Sequence, residues 1–431
     1  MKRYFNLFIA LGFSATLSAQ QVNSELQELI RSSFTYFPRL QEAEQSVTVA
    51  GQKVDLVKTG YVPSMNAGFT YNYISPVGEA TFPTGPGTTQ TIQFQPNHNL
   101  NGNIGLNYIV YDFGRLQANI RKSKEELQLN KDNLEFQRVQ LASQVCQFYY
   151  GMIYLQRSIA IEDSLIAVLS ENKRMVQSRL DNGDALQLDL LNIESSLGQE
   201  EMRRIDLRNN YERQLIFLEY LTGLRTSPSV GTFDYAVTEQ QDSYFLDKAK
   251  TANYEFIMAN DRLNMIRSDL RFNRSQFLPY LNLNAGAGFR NGYQPDINEM
   301  RFNYALGGGI TIPILDAVKT KQQVRITKTL IRQQEISLVS LENTYRKDIN
   351  LVLADIRSGR EKLETMNRQI TASAEALRIA RVRYANGSST YLDLINAAYT
   401  LQKVQLQKVQ IEYNICLANI ELARLSGVQF Y

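Results

Sequence analysis

Asp189 and Asp393 are the residues of this chain whose type and setting first suggest chemistry. Asn182-Gly183 precedes Leu188-Asp189-Leu190-Leu191-Asn192, and Asn386-Gly387 precedes Leu392-Asp393-Leu394-Ile395-Asn396. Carboxylates in such settings cap a helix N-terminus or offset its dipole. The 43 acidic residues mostly sit on heptad flanks and read as solvated faces. The one histidine, His98, stands at the edge of a strand pattern, which removes any multi-histidine metal site and leaves Ser-His-Asp chemistry only through His98 itself. Cys146 and Cys416 fall in helical patterns and read as buried free thiols, not as a disulfide framework. No catalytic, cofactor-binding or metal-ligating set is expected, and the chain does not read as an enzyme.

The two phrases lie 204 residues apart, and the offset persists. Leu221-Thr222-Gly223 answers Leu425-Ser426-Gly427, and Asp112 answers Asp316. Upstream, Tyr61-Val62-Pro63 corresponds to Leu278-Pro279-Tyr280 at an offset of 216, so the first copy carries about 12 extra residues between strand and helix. The chain is an internal duplication, each copy reading helix, strand, strand, long helix, turn, helix. The first repeat takes residues 20–223, with strands about 63–75 and 98–112, a long helix about 114–181 and a return helix about 184–223. Residues 224–250 connect it to the second repeat, 251–431, with strands about 279–291 and 300–313, a long helix about 316–385 and a return helix about 388–427.

Residues 1–19 read as a secretory signal, with basic Lys2 and Arg3, an apolar stretch from Leu7 to Leu17 and small residues before Gln20. No cysteine lies nearby to carry a lipid anchor. Net charge is +3, from 46 basic and 43 acidic side chains, too balanced to point to nucleic acid. Beyond the signal no run of 18 apolar residues exists, so a membrane could be entered only as a barrel.

The strands carry that possibility. In 64–73, Met65, Ala67, Phe69, Tyr71 and Tyr73 alternate with Ser64, Asn66, Gly68, Thr70 and Asn72. In 99–108, Leu100, Ile104, Leu106 and Tyr108 alternate with asparagines; Leu283 and Phe289, then Tyr304 and Leu306, continue the pattern in the second copy. Ten-residue alternation with Asn, Gly and Thr on the polar face suits a membrane strand. Phe69, Tyr71, Tyr73, Leu106, Tyr108, Leu283, Phe289, Tyr304 and Leu306 are the side chains expected to face lipid. Residues 74–98, with Pro76, Pro83, Gly85, Pro86, Gly87 and Pro96, read as a long polar outer loop; no Gly-Lys-Ser/Thr follows to make a phosphate cradle. Four strands cannot close, and an open edge in lipid leaves backbone groups unsatisfied. The chain must therefore oligomerise: two copies would make a narrow, filled barrel, three a twelve-stranded one with a lumen.

All ten prolines lie outside 97–227 and 314–431. Within the first stretch Leu127, Leu134, Leu141, Phe148, Leu155, Leu169 and Val176 keep a seven-residue repeat, broken only by Glu162. Ile356, Leu363, Ile370, Leu377 and Tyr384 keep it in the second. Such repeats mean coiled-coil packing, and the first helix alone would run roughly 100 Å. Both helices stop at Asn-Gly, and Asp184 and one of Ser388 to Thr390 are expected to cap the return helices, making antiparallel hairpins. An exported coiled-coil structural protein or adhesin without channel activity would share the helices but has no use for four Asn/Gly-faced strands.

The plan of strand, strand, long helix, turn and helix, used twice with Asn-Gly-(x)4-Leu-Asp-Leu-Leu/Ile-Asn after each long helix, resembles the TolC family of outer-membrane efflux proteins. The resemblance covers essentially the whole mature chain. It implies a fold mainly α with a membrane β-barrel portion: a homotrimer forming a 12-stranded β-barrel in outer-membrane lipid and a 12-helix α-barrel across the periplasm, with 224–250 as the equatorial connection. Family members are passive exit ducts for efflux or type I secretion, docked by a periplasmic membrane-fusion adaptor protein to an inner-membrane pump of RND or ABC type. The resemblance places a gate at Asp393, Asn396, Tyr384, Ser389, Asp189 and Asn192. Asp393 matches the first acidic position of the constriction, while Asn396 replaces a second aspartate found in some members. Tyr384 matches a latch tyrosine and Asp189 its acidic partner; Ser389 replaces a latch arginine. Adaptor docking falls on the hairpin tips, Asn182, Gly183, Asp184, Asn386, Gly387 and Ser388.

Overall fold

The computed structural model describes residues 23–229, 231–237, 240–314, 316–429 and 431. The signal-like segment 1–19 lies outside them. Contacts divide the chain into two compact units that do not follow the duplication. One comprises residues up to Glu44, Asp132–Ile257 and Val339–Tyr431; the other comprises Gln45–Lys131 and Met258–Leu338.

The second unit holds the strands β1 (Ser64–Tyr73), β2 (Glu79–Gly85), β3 (Thr88–Gln93), β4 (His98–Tyr111), β5 (Tyr280–Arg290) and β6 (Arg301–Thr311). Four of them form an antiparallel sheet in the order β1-β4-β5-β6. Directly opposed residues share a face in such a sheet. Phe69 faces Gly102, which faces Phe289, which faces Phe302; Met65 faces Leu106, then Ala285, then Leu306. All nine side chains expected to face lipid lie on this one surface.

The other surface is built from asparagine set against glycine. Asn66 opposes Gly105, Gly68 opposes Asn103, Asn103 opposes Gly288, Asn284 opposes Gly307 and Asn282 opposes Gly309. At two of these pairs the asparagine amide occupies the space a neighbouring Cβ would need: a Cβ on Gly105 would meet Asn66 Oδ1 at 3.1 Å, and one on Gly309 would meet Asn282 Oδ1 at 3.3 Å. A register shift between Ile109 and Tyr111 restores the apolar phase at the strand end, turning Tyr111 to Leu281. β1 and β6 each pair with one strand, so both edges of the sheet are open. Residues 74–98, expected as a polar loop, fold instead into the hairpin β2-β3, which Thr, Gln and a Gly-Pro-Gly turn favour. Gln294 of the shorter second loop donates to the Gln93 carbonyl at 3.1 Å.

The first unit is helical. Its elements include α1 (Ser24–Tyr36) and parts of α2 (Pro38–Lys58), α3 (Arg115–Asp181) and α7 (Asp316–Ala385). It also holds α4 (Gln187–Thr222), α5 (Asp242–Ala252), the start of α6 (Tyr254–Ser275) and α8 (Tyr391–Ser426). The seven-residue positions Leu141, Leu169, Val176, Ile356 and Tyr384 are buried, as the coiled-coil reading requires. A core of Leu26, Ile30, Val145, Tyr149, Met152 and Leu218 joins α1, α3 and α4, and both free thiols, Cys146 and Cys416, are buried in it. The connecting segment packs Phe233, Tyr235 and Val237 onto this core. Among the described residues no helix is long and apolar enough to cross a membrane.

Candidate channel gate at the helix turns

The two long helices end in the same way. Gly183 and Gly387 take left-handed backbone angles, φ 81° and 72°. Gly183 N–H donates to the Leu180 carbonyl and Asp184 N–H to that of Arg179; Gly387 N–H donates to Tyr384 and Ser388 N–H to Arg383. These paired bonds satisfy carbonyls the helix leaves unmatched, and glycine meets the positive φ without strain.

The return helices begin differently. In the second copy Thr390 caps α8: the Asp393 N–H donates to Thr390 Oγ1 at 3.3 Å, and Asp393 Oδ2 accepts from the Thr390 N–H at 3.0 Å. The same oxygen accepts the hydroxyls of Thr390 at 2.7 Å and Ser389 at 2.9 Å. These bonds, from Thr390 first, hold the Asp393 carboxyl below the usual carboxylate range. In the first copy the helix starts at Gln187, later than the expected 184, and Leu186 holds the cap position. Asp184 is therefore not the cap; it lies in the exposed turn. Only half of the reciprocal arrangement survives, Leu186 N–H to Asp189 Oδ2 at 3.4 Å, because leucine offers no acceptor.

Behind the turns Val176, Leu190, Ile193, Tyr384 and Leu394 form one buried cluster, so the two hairpins share a core next to the tips. Burial raises the Tyr384 phenol, and Arg179 opposes that shift. The Arg179 guanidinium lies 4.6 Å from the Tyr384 ring centroid and donates through Nη2 to the carbonyls of Tyr384 at 2.8 Å and Ala385 at 3.4 Å. A cation on the last carbonyls of α7 also meets the negative end of the helix dipole. Asp189 lies close enough to act on the Tyr384 phenol.

Tyr384 and Asp189 are thus brought together, and Asp393 and Ser389 are brought together separately. Asn192 and Asn396 lie exposed, as do Asn182, Gly183, Asp184, Asn386, Gly387 and Ser388. Ser389 serves the cap of α8, through its hydroxyl on Asp393. Sequence reading does not pick out Arg179, the cation that reaches Tyr384. A signal was present: Arg179 and Arg383 are repeat partners before the two Asn-Gly pairs. Nothing local says that Arg179 crosses to the other hairpin whereas Arg383 stays in its own turn, on the Ser388 carbonyl at 3.4 Å.

A half-apolar, open-edged antiparallel sheet joined to two long helical hairpins is the architecture of an outer-membrane channel protein. The outer membrane efflux protein family model matches residues 30–224 and 245–428, leaving out most of the connection between the repeats. The chain is similar to the outer membrane efflux protein BepC of Brucella suis, 21% identical over 90% of this chain and 82% of BepC. It is also similar to the alkaline protease secretion protein AprF of Pseudomonas aeruginosa, 21% identical over 75% of this chain and 69% of AprF. The crystal structure of the outer membrane protein VceC of Vibrio cholerae shares the fold, with a TM-score of 0.77 at 16% identity, over 94% of this chain and 97% of that one. The chain belongs to the outer membrane efflux protein family. It is a TolC-like protein of the Gram-negative outer membrane, a channel component for efflux or secretion.

Proposed function

We propose that three copies assemble into a passive exit duct, with a 12-stranded β-barrel in the outer membrane and a 12-helix α-barrel in the periplasm. The observation that carries this reading is the four-stranded sheet whose apolar face is continuous and whose edge strands, β1 and β6, are both open. In lipid each open edge must pair, and β1 of one copy on β6 of the next closes a ring. Three copies give the smallest ring with room for a lumen behind its Asn/Gly face. Phe69, Tyr71, Tyr73, Leu106, Tyr108, Leu283, Phe289, Tyr304 and Leu306 then meet lipid.

The duct is gated at the helix turns. The Arg179–Tyr384 contact holds the second hairpin against the first, and Asp393 places one carboxylate per copy at the constriction. Opening separates the hairpins. The tips present exposed Leu188, Leu191 and Leu392 beside Asn182, Gly183, Asp184, Asn386, Gly387 and Ser388, an apolar surface suited to a periplasmic membrane-fusion adaptor. That adaptor joins the duct to an inner-membrane pump of RND or ABC type.

Mass measurement of the detergent-purified protein, followed by conductance in planar bilayers, tests the assembly. Trimers that conduct weakly until the turns are loosened are expected. A dimer, or trimers without conductance under any condition, would overturn the reading.

A further inference from the structure

Glu162, which breaks the apolar series of α3, is fully buried, with 0% of its surface exposed. Its Oε2 accepts from Gln402 Nε2 of α8 at 2.8 Å, while Oε1 has no hydrogen-bond donor. The group beside it is a second carboxyl, Glu200 of α4, itself 6% exposed. Two carboxylates offer each other only acceptors, so a hydrogen bond between them exists only when one carries a proton.

The other groups around the pair do not neutralise it. Arg203 of α4 approaches Glu200 at 3.5 Å, but its side chain is 55% exposed. The adjacent Arg204 pairs with Asp163 of α3. From α8, Tyr399 bonds Ser196 and Glu200 as a neutral phenol, raised by burial, and α7 contributes the apolar Leu377 to the neighbouring layer. One partly solvated cation therefore faces two carboxyls. Burial first, and Glu200 next, push Glu162 up to about 7. Gln402, which bonds Glu162, also lines a cavity of 280 Å³ with Ser164 and Gln405. The second repeat has Met366 and Val404 at the corresponding positions, so the arrangement belongs to the first copy alone.

We propose that Glu162 and Glu200 form a proton-binding site in the helical unit, in which one shared proton ties α3 to α4 and whose release loosens their packing around Gln402. A carboxyl raised in the folded state contributes stability that is complete below its unfolded value and is lost as pH rises through the folded one. For Glu162 that window runs from 4.5 up to about 7.

Thermal unfolding of the full protein in detergent between about pH 5 and pH 8 tests this. The wild-type midpoint should fall by roughly 3 °C across the upper half of that range, while Glu162→Gln, which donates permanently to Glu200, should be flat there and higher at the alkaline end. Glu200→Gln should behave likewise. Infrared difference spectra of the wild type should show a protonated carboxyl lost near neutrality and absent from both variants. Parallel pH profiles for wild type and Glu162→Gln, or a wild type with no carboxylic acid band near pH 6, would overturn the proposal.

Discussion

The Arg179 guanidinium stacks over the Tyr384 ring at 4.6 Å and bonds the Tyr384 carbonyl at 2.8 Å, so the first long helix caps the last turn of the second. Residues 205 apart in sequence are held by one side chain. The cap combines stacking, a charge-assisted hydrogen bond and a helix dipole, each favouring the same position of the guanidinium.

Removing that side chain should favour opening. Arg179→Ala forfeits about 1–2 kcal/mol at this half-exposed site, roughly a tenfold shift toward the separated state. Arg179→Lys keeps the charge but loses the planar stack and should fall between. Single-channel conductance checks both; an Arg179→Ala trimer that opens no more often than wild type contradicts the latch.

Asp393 should govern ion preference. Its folded value is depressed by Thr390 and Ser389, so its charge, and the support it gives α8, are complete above 3.8 and are lost only as pH falls below that. Asp393→Asn should lower cation over anion permeability at neutral pH, read as a smaller reversal potential in a salt gradient. An unchanged reversal potential removes Asp393 from the constriction.

The two caps should respond in opposite directions. Thr390→Ala removes an acceptor and should weaken the start of α8 by about 1 kcal/mol, whereas Leu186→Ser completes the missing half in the first copy and should strengthen α4 by a similar amount. Amide hydrogen exchange in the first turns should accelerate about fivefold in one variant and slow comparably in the other. Equal exchange in both would mean that the caps are not what hold these ends.

Gly288 should tolerate no side chain. A Cβ there would lie 2.7 Å from Asn103 Cα, against backbone that cannot move without parting β4 from β5. Gly307, whose Cβ would meet nothing within 4 Å, is the control. Gly288→Ala should abolish heat-stable assembly in the outer membrane, and Gly307→Ala should preserve it. Assembly of both would show that the Asn/Gly interlock is dispensable.

Whatever depends on near neighbours is legible in the residues alone. Period-two alternation decided which side chains of each strand share a face, because successive Cβ atoms point oppositely and a single residue of slip would invert the set. The seven-residue repeats decided the long helices, and Asn-Gly decided their ends, because only a residue free of Cβ takes the left-handed angle cheaply. The duplication made each reading count twice. Where local chemistry allows several answers the sequence does not choose between them: Asp184 fits a cap, yet the helix begins at Gln187, and 74–98 fits a loop, yet its threonines pair across β2 and β3.

Tertiary structure decided the contacts between distant segments. Arg179 and Arg383 are equivalent in spacing, but only packing of one hairpin on the other put Tyr384 beneath Arg179. Glu162 was visible as an exception in an apolar series; that it meets Glu200 and Gln402 followed from the register of three helices. Asp189 and Asp393, the pair with which the repeat announces itself, ended in different roles. One stands near Tyr384 behind a half-made cap, and the other is bound into a complete cap by Thr390 and Ser389. Equivalent residues diverge for two reasons: Leu186 stands where the second copy has Thr390, so only one cap is complete, and each copy packs against the other, so matching residues such as Arg179 and Arg383 meet different neighbours.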